Sequence, residues 1–149
     1  MKTVQCIVPV ILLITLLVAC KKDKGSNTPS DLEGDWEIAE STVSITPTVT
    51  YPSGNGSTLS FSNGRYSYAE RGDVVKEGSF TTMEDSTVEQ SVCMSNLADT
   101  FTRRVVFDND YSATKVFFHI AGDKLYLISG CHAVDGGQKK VYRRLYIID

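Results

Sequence analysis

The sequence predicts an all-β fold: an antiparallel up-and-down β-barrel of about eight strands, with a two-sheet β-sandwich as the alternative. Three observations predict it. Beyond position 30, apolar residues recur with a period of two rather than 3.6. Turn signals separate these runs at spacings of about 8 to 14 residues. No long helical period interrupts them. So many strands would expose sheet edges to association, and closing the sheet removes those edges. Eight closed strands enclose an interior that side chains fill or that holds one small ligand.

The elements follow in order. Trp36 and Ile38 alternate with Glu37, and Leu59 and Phe61 alternate with serines. Asn63-Gly64, the strongest short hairpin signal, leads into Tyr66 and Tyr68 around Ser67. Arg71-Gly72-Asp73 reads as a tight turn before Val74 and Val75, and Phe80 sits between Ser79 and Thr81. Val88 and Val92 continue the alternation through Thr87, Glu89 and Ser91. Met94, Leu97, Ala98 and Phe101 then fit i, i+3, i+4, i+7, so Ser95 to Thr100 is a helical turn or a loop. Val105 and Phe107 precede the polar turn Asp108-Asn109-Asp110. Val116, Phe118 and Ile120 share a face, as do Leu125 and Leu127 after the Gly122-Asp123 turn. Leu145 and Ile147 end the pattern.

The first thirty residues have another character. Lys2 is the only charge before Lys21, and residues 6 to 19, CIVPVILLITLLVA, carry none. This is a positive n-region and an apolar h-region. The run is short for a spanning helix and contains Pro9. Leu17-Val18-Ala19-Cys20 resembles the bacterial lipobox. That resemblance implies cleavage before Cys20, a diacylglyceryl thioether on its sulfur and further acylation (palmitate) of the new N-terminus. Residues 1–19 are thus expected to be a lipoprotein signal peptide. Residues 20–30 are then the lipidated Cys20 and a flexible tether, whose last ten residues span on the order of 17 Å. Residues 31–149 form the barrel domain. Two or more acyl chains anchor stably where one does so marginally. Lys21 follows Cys20 where an inner-membrane retention signal would have Asp, which favours the outer membrane, on its periplasmic or surface face.

Composition narrows the function classes. Removing residues 1–19 takes away Lys2 and no acid, leaving 14 basic and 18 acidic residues and a net charge of −4. An acidic chain argues against nucleic acid as a partner. Cys6 leaves with the signal and Cys20 takes the lipid. Cys93 and Cys131 remain as an even pair in an exported chain, either bridged or as two buried thiols.

Leu32-Glu33-Gly34-Asp35-Trp36 is similar to the Gly-x-Trp opening of lipocalins. It is closer still to the Leu-x-Gly-x-Trp of small lipocalin-like bacterial lipoproteins. Asn63-Gly64-Arg65-Tyr66 and Glu77-Gly78-Ser79-Phe80 resemble the next hairpins of such domains, and Gly122 to Leu127 resembles a late one. Tyr142-Arg143-Arg144 lies where lipocalins place an Arg over the Trp. The resemblance implies a barrel closed at one end by Trp36 with Arg143 or Arg144, a cation–π pair. Alternation leaves the choice of arginine open.

No nucleophile, base and orienting group can be assembled, so no enzymatic activity and no cofactor is expected. Cys131-His132 and His119 lack the further ligands a zinc site needs, and Asp108-Asn109-Asp110 lacks those of a calcium loop. Arg71-Gly72-Asp73 is explained by its turn. The expected function is binding of a small apolar or amphipathic molecule, lined by Phe61, Tyr66, Tyr68, Phe80, Phe107 and Phe118. Such a calyx needs a cavity of about 300 Å³ or more. The alternative is a barrel filled by those rings and by Trp36. Its loops Tyr51 to Gly56, Asn96 to Thr100 and Cys131 to Gly137 would contact another envelope protein.

Overall fold

The computed structural model describes residues 31–146; the expected signal peptide, Cys20, the expected tether and the last three residues lie outside the described residues. The chain forms nine strands. They are β1 (Gly34–Val43), β2 (Val49–Thr50), β3 (Thr58–Ser62), β4 (Arg65–Glu70), β5 (Asp73–Glu84), β6 (Arg103–Phe107), β7 (Val116–Ala121), β8 (Lys124–Ser129) and β9 (Gln138–Leu145). A five-residue helix α1 (Val88–Val92) follows β5, and a 3₁₀ turn (His132–Val134) precedes β9. Eight of the strands run as an antiparallel meander from β1 through β3 to β9, and β1 also pairs with β9. That last pairing closes the sheet into an eight-stranded barrel of the lipocalin-like form and excludes the sandwich. The short β2 adds to β1 beside the barrel through Glu40 and Ser41.

The turns form where their residues allow. Asn63 and Gly64 both have positive φ, as do Arg71 and Gly72, which is the type I′ geometry that matches strand twist. In the Gly122-Asp123 turn only Gly122 does, which is type II′. A bulge between Ile38 and Glu40 shifts the register against β9. It lets Trp36 and Ile38 face inward on one side of it and Ser41 and Val43 on the other.

Alternation fills the interior. Trp36, Ile38, Leu59, Phe61, Phe80, Val105, Phe118, Leu125 and Tyr142 form one buried cluster, with Leu32 plugging it from below. A second, smaller cluster lies outside the barrel wall. Phe117 and Ile128 point outward from β7 and β8, where Val88, Val92 and Phe101 cover them.

Two sequence readings change here. Val88 and Val92 belong to a helix, not a strand; positions i and i+4 share a face in both, so the apolar pattern alone does not separate them. Downstream of that helix, Ser95 to Thr100 takes the loop alternative, bonded through the Leu97 carbonyl to Thr100 N (3.0 Å) and Phe101 N (2.8 Å). Glu89 holds that turn by accepting from Leu97 N (3.0 Å). Glu77 to Phe80 lies inside β5 rather than at a hairpin. A Cβ at Gly78 would collide with the Asp108 carboxylate and come 2.8 Å from the Tyr66 ring. The glycine is there for close packing.

Candidate functional site: the barrel mouth

The two ends of the barrel are built differently. At the closed end Trp36 is fully buried, and its indole N–H donates to the Leu32 carbonyl (2.8 Å). The Arg144 guanidinium lies 4.0 Å from the Trp36 ring centroid. It donates to the carbonyls of Glu33 (2.9 Å) and Asp31 (3.1 Å). Gly34, at φ 125°, gives that guanidinium room, since a Cβ would lie 2.8 Å from Nη1. Arg103 adds a second cover: it donates to the Asp31 carboxylate (3.0 Å) and stacks 4.6 Å over Phe118.

Arg143 takes no part in this closure. It is one residue from Arg144 on a strand, so it faces outward. There its Nη2 donates to the Tyr51 carbonyl (2.6 Å), with Nε 3.6 Å from the Glu37 carboxylate. Glu37 also faces outward, yet it is only 2% exposed because the loop after β2 covers it. Gly54 N donates to its Oε2 (3.0 Å). The Tyr51 to Gly56 loop is therefore folded back onto the wall.

The other end opens on a cavity of about 220 Å³. Leu59, Phe107, Val116 and Leu127 give it an apolar floor, and Tyr66, Tyr68 and Tyr142 stand around it. Lys76, Lys140, Ser129 and Gln138 lie at its rim. Two of the tyrosine hydroxyls have fixed partners. Tyr66 donates to Asp108 Oδ2 (2.9 Å), and Tyr68 donates to Glu70 (3.1 Å). Asp108 is thus more than a solvated turn residue, for its other oxygen accepts from Ser79 N (3.1 Å). Tyr142 is 2% exposed, and its hydroxyl makes no hydrogen bond to any described residue. Burial, with the nearby Tyr68 and Tyr51, pushes its pKa well above the ordinary phenol value. It is a neutral donor facing the cavity.

Of the six aromatics expected to line a pocket, Tyr66, Tyr68 and Phe107 do so. Phe61, Phe80 and Phe118 are packed in the core instead. Phe61 and Phe80 meet edge to face at 4.8 Å, and Phe118 lies beneath Arg103. They belong to the buried core cluster and do not line the cavity. Lys76, Lys140 and Tyr142 were not read as lining residues. Parity could have found the last two, since Lys140 and Tyr142 fall four and two residues before Arg144.

Two features lie outside the mouth. Cys93 and Cys131 form a disulfide, with Cα atoms 5.0 Å apart, tying the end of α1 to the loop before β9. A buried charge cluster holds the start of α1. Asp85 contacts Lys115 Nζ (2.9 Å) and Arg104 Nε (3.1 Å) and accepts from the Thr87 backbone N–H (2.9 Å) and hydroxyl (2.6 Å). Burial pushes the Asp85 carboxyl up. The Thr87 and Lys115 donors outweigh this and hold it down at about 2. Each oxygen is occupied by donors, so its role is structural. Against known proteins, the chain matches no family model, no curated protein and no solved structure.

Proposed function

We propose that this chain is a lipid-anchored, lipocalin-like protein of the bacterial envelope whose barrel mouth holds a small amphipathic molecule with an anionic head. The observation that carries the reading is Tyr142. Its hydroxyl makes no hydrogen bond to a described residue and is open to the cavity, where it can donate to a guest acceptor over an apolar floor. A hydrogen bond of this kind contributes about 0.5–1.5 kcal/mol. Lys140 at the rim supplies positive charge, Lys76 beside it lies 4.0 Å from Asp108, and among the described residues no carboxylate lines the cavity. The cavity is below the range of about 300 to 1,000 Å³ typical of drug-sized ligands, so the guest is small or only partly inserted. The anchoring half of the proposal rests on the lipobox-like Leu17-Val18-Ala19-Cys20.

The test is titration of the full chain with decanoate and with decanol. Decanoate is expected to bind better, and Tyr142→Phe and Lys140→Gln each to weaken it. Equal weak binding of both by all variants would remove the proposal. The small cavity favours one second reading, a filled barrel that contacts another envelope protein. Failure of decanoate together with co-isolation of a stoichiometric envelope protein would select it.

A further inference from the structure

A second concave site lies outside the barrel. Between the chain that follows α1 and the outer face of β7 to β9 there is a groove of about 320 Å³, larger than the mouth cavity. Its walls include Met94 and Leu97, with Ile128 and Ala121 along the sheet. Three rings run through it. Phe101 and His119 have centroids 6.0 Å apart, and His119 and Tyr126 6.1 Å. Lys139 reaches over the Tyr126 ring, with Nζ 5.9 Å from its centroid. The side chains of His119, Tyr126 and Lys139 make no hydrogen bond or ion pair to any described residue. An apolar pocket with a few converging, uncommitted polar groups is the usual form of a small-molecule site.

We infer that this groove is a separate binding site for a small planar aromatic anion, such as an aromatic carboxylate or sulfonate. Each feature selects one property of the guest. The row of rings favours a flat π-system, which packs edge to face or offset against rings. Among the described residues Lys139 is the sole lysine or arginine lining the groove and no carboxylate lines it, so a negative group is favoured at that end. Met94 is half-exposed at the rim and adapts its shape to a guest. The wall bearing Met94 is held in place by the Cys93–Cys131 disulfide next to it. The groove shares no lining residue with the mouth. Lys139 and Lys140 are neighbours on β9 that face opposite sides of the wall.

That opposition makes a clean test. The probe is 1-naphthoate, titrated calorimetrically into the full chain in lipid nanodiscs under non-reducing conditions, with empty nanodiscs as reference and naphthalene-1-carboxamide as the uncharged analogue. At the groove one-to-one binding is expected, and any further event that Lys140→Gln removes belongs to the mouth. Lys139→Gln and the uncharged analogue should each weaken groove binding about tenfold, as loss of a charge-assisted contact does. Ala121→Trp, an exposed change that fills the groove, should abolish it, and Lys140→Gln should leave it unchanged. Thermal unfolding of each variant checks that the fold is kept. Absence of naphthoate binding to the wild-type chain would overturn the inference. So would binding lost in Lys140→Gln but kept in Lys139→Gln and Ala121→Trp, which would place the probe in the mouth.

Discussion

The Trp36–Arg144 contact shows what one residue's placement does to an end of this barrel. The indole is buried in the barrel core and capped by a cation from the last strand, so the pair joins the two strands whose meeting closes the sheet. Trp36→Ala should cost about 3 to 5 kcal/mol, read as a lower midpoint in urea; a near-neutral effect would show that closure does not depend on it. Arg143→Ala removes only outer-wall contacts and should leave closure intact. Tyr142 gives a two-sided expectation. Without ligand, Tyr142→Phe should be near neutral, within about 1 kcal/mol, because the hydroxyl has no partner among the described residues and is open to the cavity. A loss of stability in the ligand-free chain would mean that the hydroxyl already has a partner.

At the level of elements, the helix α1 and the turn behind it are the least self-sufficient part of the chain. Five residues do not form a helix alone. Tertiary attachments hold this one: Val88 and Val92 against Phe117, the disulfide at Cys93, and the Asp85 cluster at its start. The disulfide closes a separation of 38 residues, which in the chain-entropy view is worth about 4 kcal/mol. Replacing both cysteines by alanine should lower stability by about 2 to 4 kcal/mol and raise amide exchange in α1 before the barrel strands. Asp85 gives a pH dependence. Its folded pKa of about 2 lies below the ordinary value of 3.8, so it contributes stability above about pH 4. That contribution, about 2 kcal/mol, is lost as the pH falls through 2. Asp85→Asn should flatten this part of the acid-unfolding curve, and an unchanged curve would assign the acid sensitivity elsewhere.

For the whole molecule, the proposal is a barrel held off a membrane by a lipidated cysteine and a short tether. Cys20→Ser should abolish metabolic labelling with palmitate, and persistent labelling would refute lipidation at that residue. The barrel itself was legible because its cues are local. Asn63-Gly64, Arg71-Gly72 and Gly122-Asp123 each fix a hairpin by backbone conformation alone, and alternation assigns most inward residues. Where two periods agree, as at Val88 and Val92, the sequence was ambiguous. Where a strand is apolar on both faces, as in Val116-Phe117-Phe118, the outer cover could have been inferred from the run itself.

What the sequence determined by itself was the all-β class, the hairpins, the Trp36 end and the pair of cysteines able to bridge, all from residue type and spacing. Only the tertiary structure decided that Arg144 rather than Arg143 meets Trp36, since that choice depends on the register of β9 against β1. It alone decided that Phe61, Phe80 and Phe118 fill the barrel while Tyr142 faces its mouth. The depth of an inward side chain is set by strand tilt and stagger around a closed sheet, and no local spacing encodes that.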